Sequence, residues 1–202
     1  MGCLSILVII GGVVVVASMI GRSNDQTSQT SSTVVSSGTQ PAVSEVIPRA
    51  EEAFIDAVQS FERQYEAAPN DLKKSALRTE RAHAIASILS RYGSPHRWIG
   101  TITDVGTNSD GKAYVSIKLG GSEVIVKTWN NAVSDIEDET LISQGTKMYS
   151  VLSELSEGSI ITFSGDFIAD AKDHIREASL TEAGSMSEPE FLIRLRTIKP
   201  SN

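Results

Sequence analysis

The stretch that decides the fold is KAYVSIKLGGSEVIVKTW (residues 112–129), in which apolar and polar residues alternate on both sides of Gly120-Gly121. Alternation with a period of two is typical of a strand with one buried face, and two glycines between such runs predict a hairpin. With a two-residue loop, the inner face holds two apolar pairs, Val115 with Val126 and Ile117 with Val124. The sequence therefore predicts two antiparallel strands on a hydrophobic core.

The outer face of this hairpin gathers cations and aromatic rings. The same register pairs Lys118 with Glu123, Ser116 with Ile125, Tyr114 with Lys127, and Lys112 with Trp129. Aromatic rings beside cations are a common platform for ligands, so we predict a binding surface formed by Lys112, Tyr114, Lys118, Lys127 and Trp129. The alternative is that these residues form only cross-strand ion pairs and cation–π pairs, each stabilising the sheet by roughly 0.2 to 1 kcal/mol.

Further alternating segments surround the hairpin. Strands are expected at residues 98–105, 159–168, 174–180 and 191–198. A helical stretch with Met148 and Leu152 on one side separates the third strand from the fourth and ends at Gly158. Three strands, a helix and more strands are the order of an OB-type barrel. Residues 96–202 are therefore predicted to form an OB-like β-barrel domain that folds alone.

Residues 48–95 show helical periodicity instead. Large apolar side chains recur from Phe54 to Tyr65 and again from Leu77 to Tyr92, with a short break at Ala68-Pro69. This pattern predicts a helical hairpin, and hence an α+β chain. Seven basic and seven acidic residues between positions 46 and 95 indicate a solvated outer face rather than a nucleic-acid patch. The hairpin could be a spacer that packs on the barrel or a coiled coil that binds a partner.

The first 47 residues have the composition of an anchor and a tether. Residues 4–20 carry no charge and are dominated by Leu, Ile and Val, and a run of about 17 residues just reaches the length of a membrane-spanning helix. We therefore predict a transmembrane anchor in residues 1–22. Residues 23–47 are rich in Ser, Thr and Gln, which predicts a disordered linker. A cleaved secretory signal is the alternative, since Val15-Val16-Ala17 offers small residues for cleavage, although no Lys or Arg precedes the apolar run.

Several short motifs carry a resemblance to known proteins. They are Trp98–Ile102, Thr128–Asn131 with Ser134-Asp135, Phe163–Phe167 and Ser179–Glu182. In these motifs the chain resembles uncharacterised bacterial membrane-anchored proteins with a C-terminal OB-like domain. The resemblance implies a bacterial envelope protein. It implies no catalytic residues. Short N-terminal signal anchors usually leave the soluble domain outside the cytoplasm, so we expect a single-pass protein of the bacterial inner membrane with its soluble domain on the periplasmic or extracytoplasmic side.

Motifs for enzymatic or metal chemistry are weak in this sequence. Residues 106–112 match the start of a phosphate-binding loop, but Ala113 replaces the magnesium-binding hydroxyl and both neighbours are predicted strands, so we expect a hairpin turn. The acidic run Asp135–Glu139 lacks the glycine and the ligand order of a calcium loop, which favours a solvated loop. The three histidines have no ligand spacing. We therefore expect no catalytic residue, no metal and no cofactor.

The charge balance narrows the functional classes. Residues 96–202 contain ten Lys or Arg and sixteen Asp or Glu, a net charge of −6 that disfavours a polyanion. The sequence therefore favours a non-enzymatic binding module that contacts the membrane through residues 4–20 and presents its OB-like domain to a protein or envelope ligand. Single-stranded nucleic-acid or oligosaccharide binding through the same face is the alternative, and a hydrolase with an unrecognised site is a third hypothesis.

Overall fold

The computed structural model describes residues 46–201, whose architecture is α+β with four helices and a closed five-stranded barrel. Along the chain the helices are α1 (Arg49–Glu66), α2 (Asp71–Tyr92), α3 (Lys147–Leu152) and α4 (Glu182–Ser187). The strands are β1 (Trp98–Thr107), β2 (Ala113–Leu119), β3 (Ile125–Lys127), β4 (Ile160–Phe167), β5 (Ala169–Asp170), β6 (His174–Ile175) and β7 (Glu190–Pro200).

The barrel strands follow the order β1-β2-β3-β7-β4, and β4 pairs back onto β1. Strands β3 and β7 are parallel, whereas the other neighbouring strands are antiparallel. The inner face of β2 is fully buried at Val115 and Ile117, as the alternation predicts. The predictions of an α+β chain, a β-barrel and a helix between its third and fourth strands are therefore confirmed.

The hairpin of β2 and β3 differs from the predicted one in register. The observed partners are Ser116 with Lys127, Ile117 with Val126, and Lys118 with Ile125. The loop holds four residues, 120–123, because the Leu119 amide donates to the Val124 carbonyl at 3.0 Å. The predicted register is thus wrong by two residues, but side chains alternate with a period of two, so every residue keeps its predicted face.

The prediction of a strand at residues 174–180 was only partly correct. Strand β6 has two residues and pairs with β5 outside the barrel, and Glu177 then forms an isolated bridge with Phe191. Thr181 ends the extended chain, because its hydroxyl accepts the Gly184 amide at 3.0 Å and caps α4. The third barrel strand is also shorter than the predicted 122–129.

The helical hairpin lies where the periodicity predicts it. The Asn70 side chain caps α2 by accepting the Lys73 amide, and Gly93 ends that helix with a φ of 80°. Helix α1 buries Phe54, which is 5.3 Å from Trp98 of β1 and 5.2 Å from Phe191 of β7 between ring centroids. The hairpin thus packs into the core of the barrel.

Two arginines of α2 join the helical hairpin to the segment between β5 and β7. The Arg78 guanidinium pairs with Asp173 at 2.5 Å, and the buried Arg81 pairs with Glu177 and donates to the Ser185 carbonyl at 2.6 Å. All the described elements belong to one compact unit that spans residues 43–202. The boundary drawn at residue 96 therefore separates helices from strands within a shared core.

The predicted anchor at residues 1–22 lies outside the described residues, as does the linker at 23–47 apart from its last two positions. Between residues 46 and 201 the structure contains no helix with the length and apolar character needed to span a bilayer.

Candidate functional site

The candidate surface is the outer face of β2 and β3. Tyr114 and Lys118 lie on β2, and Lys127 lies on β3 opposite Ser116. Lys112 precedes β2 in the turn after β1, and Trp129 follows β3. All five candidate side chains are partly exposed, and the alternation puts them on the side away from the core, as predicted.

Tyr114 forms an aromatic patch at one end of this face. It pairs with Gly106 of β1, and a Cβ atom at Gly106 would lie only 2.6 Å from the Tyr114 hydroxyl oxygen and 2.8 Å from Cζ. The missing side chain of Gly106 therefore allows the ring to lie over β1. Tyr114 remains half-buried.

The turn before Tyr114 is held by a single side chain. The Asn108 Oδ1 atom accepts the amides of Asp110 at 3.1 Å and Lys112 at 2.9 Å, and Gly111 adopts a φ of 73°. This is an Asx-type hairpin turn between two strands, so the segment does not have the strand-to-helix context of a phosphate-binding loop. It fixes the backbone of Lys112 beside the tyrosine.

The two strand lysines are each paired with a glutamate. Lys118 Nζ lies 2.9 Å from Glu123 of the hairpin loop, and Lys127 Nζ lies 3.1 Å from Glu190 at the start of β7. The Lys127 side chain is only 19 % exposed. The cations predicted to attract a ligand are therefore largely neutralised at this end of the face.

An acidic cavity of about 530 Å³ adjoins these ion pairs. Its walls come from α1, the hairpin loop and the segment around α4, and they include Glu62, Glu123, Glu188 and Glu190 with Ser179 and Ser187. Burial raises the pKa of Glu62, and the charges of Glu66 and Glu123 raise it further against the opposing effect of Arg63. The cavity therefore supplies the carboxylates that satisfy Lys118 and Lys127.

Trp129 is held by a network centred on Asp138. Its indole Nε1–H donates to Asp138 Oδ2 at 2.8 Å, and Arg176 donates to Asp138 Oδ1 at 2.6 Å. Arg194 of β7 donates to the Asp138 carbonyl at 2.5 Å. A tryptophan fixed in this way has a structural role, and its role as a stacking group stays a prediction.

The acidic loop at residues 135–139 contributes Asp138 to this network. The prediction of a solvated loop was wrong for two of its residues. Asp135 and Asp138 are buried, at 6 % and 3 % exposure. Asp135 accepts the amide and hydroxyl of Thr140, both at 2.6 Å, and the amide of Leu141 at 3.1 Å. Buried carboxylates are stable when hydrogen bonds and cations satisfy them, which is the case here.

A buried carboxylate that the sequence did not single out lies below the hairpin loop. Glu51 of α1 is fully buried, and its Oε2 atom accepts the Ile99 amide at 2.8 Å. Its Oε1 atom has no hydrogen-bond partner and points toward Gly120. Burial raises the pKa of Glu51 to about 7, and the bond from Ile99 only partly offsets this effect. Nothing in the local sequence distinguishes Glu51 from its exposed neighbour Glu52.

Within residues 46–201, no group of three or more His, Cys, Asp or Glu side chains is arranged to hold a metal ion. Comparisons with known protein families, with curated proteins and with solved structures found no match to the chain.

Proposed function

We propose that this chain is a non-enzymatic binding module in which a membrane anchor at residues 4–20 and a linker carry an OB-like barrel that recognises a protein or another component of the bacterial envelope. The OB assignment is supported by the closed five-stranded barrel, by the parallel pair β3 and β7, and by α3 between the third and fourth strands. OB barrels commonly receive ligands on the outer face of the second and third strands, which is the face of Tyr114.

The observation that carries this proposal is that Tyr114 and Lys112, two residues apart on the outer face, are both partly exposed and, in the part of the chain that the structure describes, unpaired. Among residues 46–201, neither the Tyr114 hydroxyl nor the Lys112 ammonium has a hydrogen-bond or ion-pair partner. A half-buried ring is held in place by its packing over Gly106, so it would lose little conformational entropy on binding. Tyrosines of this kind are frequent anchors of protein interfaces.

The ion pairs on the same face favour a protein ligand over a nucleic acid. Lys118 and Lys127 are already paired with Glu123 and Glu190, so neither is free to neutralise a phosphate. Residues 96–202 also carry a net charge of −6. Since affinity for single strands comes largely from phosphate neutralisation, this face is poorly suited to a polyanion.

The test is crosslinking of the full-length protein in native membranes. Tyr114→Leu keeps apolar packing over Gly106 but removes the ring, and Tyr92→Leu is the matched control because Tyr92 is an exposed tyrosine at the end of α2. We expect Tyr114→Leu to lower the yield of the crosslinked complex about tenfold, a loss of about 1.4 kcal/mol, while Tyr92→Leu retains it. Equal yields from the two variants, or displacement of the complex by oligothymidylate at low salt, would contradict the proposal.

A further inference from the structure

A second surface lies on another part of the barrel, between α3 and the C-terminal half of β7. A groove of about 320 Å³ runs there, and its lining residues are Lys147, Met148 and Val151 of α3 with Arg196, Thr197, Ile198 and Lys199 of β7. Its floor is apolar, because Ile198 is 6 % exposed and Met148 and Val151 are half-buried. This volume is at the lower end of ligand-binding cavities, which span roughly 300–1,000 Å³.

The rim of this groove is positively charged, although the whole chain has a net charge of −7. Lys147 and Lys199 are exposed, and within residues 46–201 neither has an ion-pair partner. Arg196 is half-exposed and lies 3.3 Å from Asp166 of β4. The groove therefore combines an apolar floor with two unpaired cations on opposite walls, one from the helix and one from the strand.

We propose that this groove is a docking site for an acidic segment of a protein partner, in which one apolar side chain is flanked by carboxylates. The apolar side chain would cover Met148, Val151 and Ile198, and the carboxylates would pair with Lys147 and Lys199. Met148 suits such a contact because its unbranched thioether side chain adapts to the shape of its partner. The inference rests on the proposed binding role, but it assigns a different face of the barrel.

A membrane surface fits the groove less well than a protein segment. Protein segments that bind anionic lipids typically carry clusters of about four to eight Lys or Arg residues. The groove has three cations, and one of them is already paired with Asp166. Its apolar residues form the floor rather than a projecting edge, so a side chain from a partner reaches them and a flat bilayer surface does not.

The experiment uses the full-length protein and an array of synthetic peptides. Each probe peptide has a central Leu, Ile, Phe or Met with two Asp or Glu residues on either side. One matched set has Ser at the centre, and a second has Lys in the flanks. The variants are Lys147→Glu and Met148→Gln, with Lys172→Glu as a control at an exposed lysine outside the groove. Lys147→Glu places an acid in the first turn of α3, where the helix dipole favours it, so this change should leave the fold intact.

We expect the acidic peptides with an apolar centre to bind, and both groove variants to weaken this binding at least tenfold while Lys172→Glu leaves it unchanged. Equal binding of the Ser-centred set would overturn the inference, as would binding that survives both groove variants. Binding of short-chain phosphatidylglycerol in place of the acidic peptides would assign the groove to lipid and also overturn it. Tyr114→Leu should leave peptide binding intact, because Tyr114 lies outside the groove. If no peptide binds the groove while crosslinking still depends on Tyr114, only this inference is rejected and the proposed function stands.

Discussion

Phe54→Ala tests whether the helical hairpin belongs to the core of the barrel. Phe54 is fully buried, and its ring centroid lies 5.2 to 5.3 Å from those of Trp98, Phe167 and Phe191. Truncation of a buried phenylalanine to alanine costs about 3 to 5 kcal/mol, because apolar area is lost and a cavity remains. The three ring contacts place the expected cost in the upper part of that range.

The loss should appear in the barrel as well as in the helices. In a protein of this size each kcal/mol lowers the melting temperature by about 2 to 4 °C, so a cost of about 4 to 5 kcal/mol should lower it by about 8 to 20 °C in Phe54→Ala. We would follow guanidinium unfolding of the full-length protein by helical circular dichroism and by the NMR methyl signals of Val115 and Ile117, which lie inside the barrel. Both probes should report the same lowered midpoint.

Leu72→Ala is the matched control, because Leu72 lies on the same helical hairpin but is 86 % exposed. We expect this variant to stay within about 0.5 kcal/mol of the parent protein. The result that would refute the reasoning is a helical transition that shifts in Phe54→Ala while the methyl signals of the barrel keep their midpoint. In that case residues 96–202 would be an independent domain, as the sequence alone predicts.

Two further outcomes concern buried charges. Because the folded pKa of Glu51 is raised from 4.5 to about 7, its stabilising contribution is complete below pH 4.5 and is lost as the pH rises to about 7. At about 1.4 kcal/mol per pKa unit the loss is at most about 3.5 kcal/mol. Glu51→Gln should therefore flatten the fall in unfolding free energy between pH 5 and pH 8, measured by urea titration; an unchanged pH slope would contradict this assignment. Arg81→Met should destabilise the fold by about 3 to 5 kcal/mol, because it leaves Glu177 buried without its cation. Calorimetry of Arg81→Met, Glu177→Gln and the double variant checks this, since the double variant should recover much of the loss; a double variant as unstable as the sum of the single changes would contradict it.

The local pattern of the sequence was sufficient for most of the elements and for the faces of their residues, although it missed α4 and β5 and overextended β6. The period of the apolar residues predicted α1 and α2, and the alternating segments predicted the barrel with a helix before its fourth strand. It also placed Tyr114 and Lys127 on the outer face, even though the hairpin register was wrong by two residues. Successive residues of a strand point to opposite faces, so the alternation in the sequence shows the face of each residue directly.

Contacts between distant residues were decided by the tertiary structure alone. Glu190 lies 63 residues after Lys127, and Arg176 lies 38 residues after Asp138, yet each pair is in contact. Phe54 fills the core of a barrel that begins 44 residues later, at Trp98. The helical hairpin and the barrel, which the change in periodicity assigns to separate domains, therefore share one core. Periodicity reports which face of an element is apolar, but the partner that covers the face, or neutralises a charge on it, is set by chain closure and packing in three dimensions.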